Sequence, residues 1–281
     1  MSAETPAQIP PFRPSPPTVR VGSVDVLPLR EKELVHLVEQ RWRQSEGGWI
    51  VTANVDIVRA ATRDPELSAL VAEADVVVAD GMPVVWAARL AGEPVPERVT
   101  GASLVFSLAE AAASEGRTIY LLGGEPGVPE TAAEALQKRF PGLTVAGTHS
   151  PPFGFEKTAE GMAEVVRLVT EAKPDLVFVG LGFPKQERTI RELRTILPDS
   201  WYIGCGAGIP MAAGEFTRAP GVMQKMGAEW LHRLALEPHR LARRYLLEDA
   251  PFALRLLAGA TKHRMAKRRH RVTRRIVNEH G

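Results

Sequence analysis

The chain has 281 residues, 44% hydrophobic and 24% charged, with a formal net charge of +2 and one cysteine. Such a length admits one large core, or a core with a small appendage, and the composition is that of ordinary soluble globular proteins. A lone Cys205 excludes an intramolecular disulfide framework and fits a reducing compartment. No run approaches the roughly eighteen apolar residues of a bilayer span, no Cys or His spacing suggests a metal site, and the N-terminus lacks a signal-peptide core.

The charge is segregated. Residues 260–275 carry Lys262, Arg264, Lys267, Arg268, Arg269, Arg271, Arg274 and Arg275 and no acid, so the rest of the chain sums to −6. A basic end on a mildly acidic body points to a polyanion, either an anionic membrane surface or nucleic acid; a solvated end is the plainer alternative.

In chain order, residues 1–18 are a proline-rich leader with little to bury, expected to be disordered. Strands are expected at Trp49–Thr52, Asp75–Ala79, Thr118–Leu122, Thr144–Thr148, Leu176–Gly180 and Trp201–Gly204. Helical patterns lie between them, at Glu31–Gln44, Val55–Arg63, Ala102–Ser114, Thr131–Phe140, Thr158–Ala172 and Gln186–Leu197. This alternation predicts an α/β fold: a mostly parallel, Rossmann-like sheet with helices on both faces, over residues 19–218. After Arg218-Ala-Pro the composition turns helical and arginine-rich. Residues 219–260 read as a helical appendage and 261–281 as a basic tail.

Four strand ends carry candidate chemistry. Val76-Val-Val-Ala-Asp80-Gly-Met-Pro places Asp80 at the carboxyl end of a buried parallel strand beside a helix start, where open α/β sheets bind ligands; a plain helix cap is the alternative. Thr52 and Asn54 follow another strand, and Asn54 can cap the next helix. Leu121-Leu-Gly123-Gly124 is a glycine turn of the kind that lets backbone N–H groups approach phosphate. It is not a full G-x-G-x-x-G, and no acid ends the next strand, which counts against nicotinamide. Gly180-Leu-Gly182-Phe-Pro-Lys185-Gln186-Glu joins glycines to a lysine and an amide at a helix start, where anions are favoured. Cys205, in Trp-Tyr-Ile-Gly-Cys-Gly, reads as a small buried thiol. In the appendage Arg233, Arg240 and Arg243 are spaced seven and three apart, so a mild kink at Pro238 leaves them on one face. Without carboxylate clusters for Mg²⁺, such arginines could neutralise a diphosphate leaving group.

Taken together these segments resemble the WecG/TagA/CpsF family of glycosyltransferases. The resemblance runs from about Val24 to Leu257. It rests on Thr52-Ala-Asn54, Ala79-Asp-Gly-Met-Pro-Val-Val-Trp86, Arg98-Val-Thr100-Gly101, Leu121-Leu-Gly-Gly124, Gly180-Leu-Gly-Phe-Pro-Lys-Gln-Glu187, Arg218-Ala-Pro220 and Glu229-Trp-Leu-His-Arg233 continuing to Tyr245. The resemblance implies an α/β core and a membrane-contacting C-terminal appendage that helps form the site. It implies a base at Asp80, active-site amides at Asn54 and Gln186, and appendage arginines at Arg233, Arg240 and Arg243. One departure stands out. Where members commonly carry Phe-Asp after the last core strand, this chain has Ile209-Pro210, which leaves the nucleotide base to be read otherwise, for example by backbone groups.

The expectation is therefore an inverting, metal-independent transferase with no cofactor. Its donor would be a UDP-sugar, of N-acetylmannosamine type, and its acceptor a polyprenyl-diphosphate-linked saccharide. Asp80, Asn54 and Gln186 would be catalytic. Thr52, Thr100, Gly101, Gly123, Gly124, Gly182, Lys185, Gly206, Arg233, Arg240 and Arg243 would bind substrate. The protein would sit at the inner face of the cell membrane, held to anionic lipid and not to nucleic acid, with homo-oligomerisation left open. The rivals are a nucleotide-dependent oxidoreductase, which nicotinamide titration would reveal, and a nucleic-acid binder using the tail, which lacks interleaved aromatics for base stacking.

Overall fold

The structure, a computed structural model, describes residues 18–215, 223, 231, 234 and 242–279. The leader 1–17 and both Arg233 and Arg240 lie outside these residues.

Six strands form one parallel sheet: β3 (Gly48–Ala53), β4 (Val76–Ala79), β5 (Thr118–Gly123), β6 (Thr144–His149), β7 (Leu176–Gly180) and β8 (Trp201–Gly204), in the order β4-β3-β8-β7-β5-β6. The inner strands are apolar at nearly every position because both faces are covered. Val76 and Val78 pack with one helical layer, Val77 and Ala79 with the other. All six lie where the sequence places them, within a residue or two at each end. A short antiparallel hairpin, β1 (Val19–Val21) and β2 (Val24–Val26), precedes them and was not anticipated. Its outward residues are Arg20 and Asp25, and its valines join the core.

The helices start where caps and prolines allow. Asn54 caps α2 (Val55–Arg63) and Asp64 caps α3 (Pro65–Ala72). Pro83 sits in the first turn of α4 (Met82–Ala91), and Thr100 caps α5 (Gly101–Ser114). The helices α1 (Glu31–Arg43), α5, α6 (Val128–Arg139) and α9 (Gly208–Ala212) cover one face. The other is covered by α2, α3, α4, α7 (Ala159–Ala172) and α8 (Lys185–Ile196).

A π-helical turn, Arg243–Asp249, leads into α10 (Ala250–Glu279), which packs along α4. Phe252 is buried there, and Leu256, Leu257 and Ala260 rest on the core. The turn is clasped to α2 by Arg59. Its guanidinium meets Asp56 at 2.5 Å, Glu248 at 2.8 Å and Asp249 at 3.1 Å. One helix therefore spans the position near residue 260 where composition divides appendage from tail. Helix-forming residues continue across it, and no proline intervenes.

Candidate active site at the carboxyl ends of the strands

Helix α2 leaves β3 on one face and α9 leaves the neighbouring β8 on the other, which opens a crevice at the carboxyl ends of these two strands. Thr52, buried on β3, donates from its hydroxyl to the Gly204 carbonyl of β8 at 3.3 Å. Gly101 closes against the same point. A Cβ there would lie 3.0 Å from the Cys205 Cα and 3.2 Å from the Thr52 hydroxyl, so a side chain at this position would press on the backbone after β8. Cys205 itself is fully enclosed, and burial pushes its thiol up to about 12, well away from nucleophilic chemistry.

Two backbone bonds assemble the polar residues of the crevice. The Asp80 N–H donates to the Ala53 carbonyl at 2.9 Å, and the Val99 N–H to the Ala79 carbonyl at 2.9 Å. Asn54, Asp80 and Thr100 are thereby brought together, each the first residue beyond, or itself part of, a paired position. Asp80 is half-buried and Asn54 exposed. The Asn54 Oδ1 is engaged by the Ile57 N–H at 3.0 Å, so its amide nitrogen is the end turned to other partners. Thr100 is buried, its hydroxyl accepting from the Ser103 N–H.

The glycine turns after β5, β7 and β8 touch backbone to backbone. A Cβ on Gly123 would sit 2.6 Å from the Gly180 carbonyl oxygen, and one on Gly180 would sit 2.9 Å from that of Gly206. Gly124 and Gly182 belong to the first two of these turns. Lys185, at the start of α8, has its ammonium 3.3 Å from Glu156 and 5.3 Å from the Phe153 ring, and so lies toward the loop after β6. Gln186 is buried rather than open to solvent. Its Oε1 accepts from the Gly182 N–H at 3.2 Å and its Nε2 donates to Glu187 at 2.8 Å. Arg243 is exposed at the beginning of the π-helical turn.

Such an edge suits a group-transfer enzyme, since a carboxylate and turns whose backbone can approach phosphate share the carboxyl ends of one sheet. The chain belongs to the Glycosyl transferase WecG/TagA/CpsF family, whose profile matches residues 19–266, and it is a glycosyltransferase. Two similar proteins are named N-acetylglucosaminyldiphosphoundecaprenol N-acetyl-beta-D-mannosaminyltransferase. The one from Bacillus spizizenii is 32% identical over 208 residues, 74% of this chain and 79% of that protein. The one from Staphylococcus aureus is 32% identical over 214 residues, 76% and 81% respectively.

Sequence reasoning passed over two residues that the structure makes prominent. Arg59 looks like any helix-surface arginine until Glu248 and Asp249 come round to it. Glu187 looks like a first-turn acid, yet its side chain is completely buried.

Proposed function

We propose that the protein is an inverting, metal-independent glycosyltransferase that moves an N-acetylmannosamine-like sugar from a UDP donor to a polyprenyl-diphosphate-linked saccharide in cell-surface polysaccharide synthesis. The observation that carries this reading is the juxtaposition of Asn54, Asp80 and Thr100 by the Asp80–Ala53 and Val99–Ala79 bonds, at the same carboxyl edge of the sheet as the joined glycine turns. Asp80 takes the proton of the acceptor hydroxyl as that oxygen attacks the anomeric carbon, and UDP leaves from the opposite side. A single displacement of this kind inverts the anomeric centre.

Asn54 offers its amide nitrogen to the sugar or phosphate, and Gln186 acts from beneath, through the Gly182 turn. Thr52, Thr100 and Gly101 shape the floor, and the turns at Gly123, Gly124, Gly182 and Gly206 receive the diphosphate with Lys185 at their rim. Arg233, Arg240 and Arg243 close over the diphosphate and exclude water. The transfer is metal-independent in this reading because the groups assigned to the diphosphate are cations and backbone N–H groups, which take the place of a divalent ion.

The acceptor and membrane parts of the reading are supported by the relatives' names and by the C-terminal helix. Among the described residues no helix is long and apolar enough to cross a membrane. Leu254 and Met265 are exposed eleven residues apart, on one side of α10, with Arg255, Lys262 and Arg264 also exposed. The exposed cations of this helix draw it to an anionic surface at the inner face of the membrane.

The test is a screen of UDP-sugars for UDP release that depends on a lipid-linked N-acetylglucosamine acceptor. Release with UDP-N-acetylmannosamine is expected. Nicotinamide binding without any acceptor-dependent release would replace this reading with the oxidoreductase.

A further inference from the structure

Glu187 is the third residue of α8, a position where an acid is ordinarily solvated and favoured by the helix dipole. Here it faces inward against the end of β8 and has no accessible surface. One carboxyl oxygen, Oε1, accepts from the Gln186 Nε2 at 2.8 Å, while Oε2 is buried with no hydrogen-bond partner among the described residues. Gly204 makes room for this pair. A Cβ on that residue would collide with the Gln186 amide nitrogen and lie 2.9 Å from the Glu187 Oε1. Two elements, α8 and the end of β8, thus conform to one carboxyl group whose burial is costly, which simple packing would not favour.

The contacts of Gln186 explain what the carboxyl does. On one side stands a backbone N–H, that of Gly182, which can only donate; on the other stands a carboxyl oxygen, which accepts. Only one of the two flips of the Gln186 amide satisfies both. Without Glu187 the amide nitrogen would lose its partner in a buried place, and the amide would be held by the Gly182 N–H alone. We propose that Glu187 is a positioning residue for the transfer: its buried carboxyl fixes the Gln186 amide and, through it, the Gly182 turn beside the diphosphate site. The catalytic side of this inference rests on the function proposed above; the structural side does not.

Amide hydrogen exchange in the full chain reads the turn directly. In E187L the Gly182 amide is expected to exchange at least about tenfold faster, while the amides of Val177 and Phe178 in β7 keep their protection. E187Q, whose side-chain carbonyl still accepts from Gln186, restores slow exchange. In kcat/KM for transfer, E187L and Q186L each cost about tenfold or more, and the double variant costs little beyond either one, because both break the same connection. Unchanged Gly182 exchange in E187L overturns the inference, and so do additive losses in the double variant. If E187L does not fold, E187D carries the same test, since its shortened side chain draws the oxygen away from Nε2. A wild-type chain without transferase activity would sink the proposed function and leave the exchange measurement to decide on Glu187.

Discussion

Arg59 Nε donates to Asp249 Oδ1 at 3.1 Å across 190 residues of sequence, and this bond joins α2, the helix capped by Asn54, to the turn that leads into the C-terminal helix. The Arg59 side chain is only 12% exposed, as is that of Asp249. Its burial disfavours the charge, but Asp56, Asp249 and Glu248 outweigh that and hold the guanidinium more firmly protonated than usual. The turn Arg243–Asp249 is therefore tied by charge to the core helix α2.

R59M should release that clasp. It leaves three carboxylates without their common partner at a half-buried site, for which a loss of about 2 kcal/mol is expected, below the cost of breaking a fully buried pair. Urea unfolding measures the loss, and faster hydrogen exchange confined to residues 243–260 locates it. Equal exchange in the variant would mean that Phe252 and the α4 contact hold the appendage without help.

Burial raises the Glu187 carboxyl to about 7, against the opposing pull of the Gln186 amide and its own backbone N–H. The folded chain then keeps a proton that the unfolded chain gives up near 4.5. The stabilising contribution is complete below the unfolded value and is lost as pH rises toward 7, by about 3 kcal/mol at most. Thermal unfolding of the wild type and E187Q from pH 4.5 to 8 should show the wild type losing ground to the variant as pH rises. Parallel curves would contradict this.

Much of this was legible in the sequence, for physical reasons. Runs such as Val76-Val-Val-Ala are buried on both sheet faces, and Asn54, Thr100 and Thr158 announce helices by capping them. Asp80 stood out because a strand end beside a helix start is a local pattern. The hairpin at 19–26 was missed although Val19, Val21, Val24 and Val26 alternate cleanly, because strands of three residues give periodicity too little to work on. The inward turn of Glu187 and the partners of Arg59 depend on contacts far apart in sequence, with Gly204 in one case and Asp249 in the other. No local signal carries those.

Transfer should continue in EDTA. The proposed diphosphate groups are backbone turns, Lys185 and arginines, not carboxylate clusters. Turnover is expected to change by less than about twofold on chelation, where a lost essential group costs far more. Loss of activity that Mg²⁺ or Mn²⁺ restores would replace the arginine account.

Ending the chain after Met265 should separate membrane binding from chemistry. Lys267, Arg268, Arg269, Arg271, Arg274 and Arg275 are removed, while Phe252, Leu256, Leu257 and Ala260 stay on the core. Binding to anionic vesicles at low salt should weaken by roughly 1 kcal/mol per basic residue that reaches the surface, and its salt dependence should shrink. Turnover of a water-soluble acceptor should be kept. Equal vesicle binding by both chains would leave the tail as a solvated end.

The central claim is that Asp80 is the base of a glycosyl transfer, and D80N tests it most directly. The substitution keeps the shape of the side chain and removes its basicity. With UDP-N-acetylmannosamine and a soluble N-acetylglucosaminyl-diphosphate lipid analogue, kcat for acceptor-dependent UDP release is measured beside the melting temperature. A fall of about 10²–10⁴-fold with unchanged thermal unfolding and unchanged UDP affinity is the predicted result. Turnover within a few-fold of wild type in a folded D80N protein would contradict the account and leave Asp80 as a residue that only ends its strand.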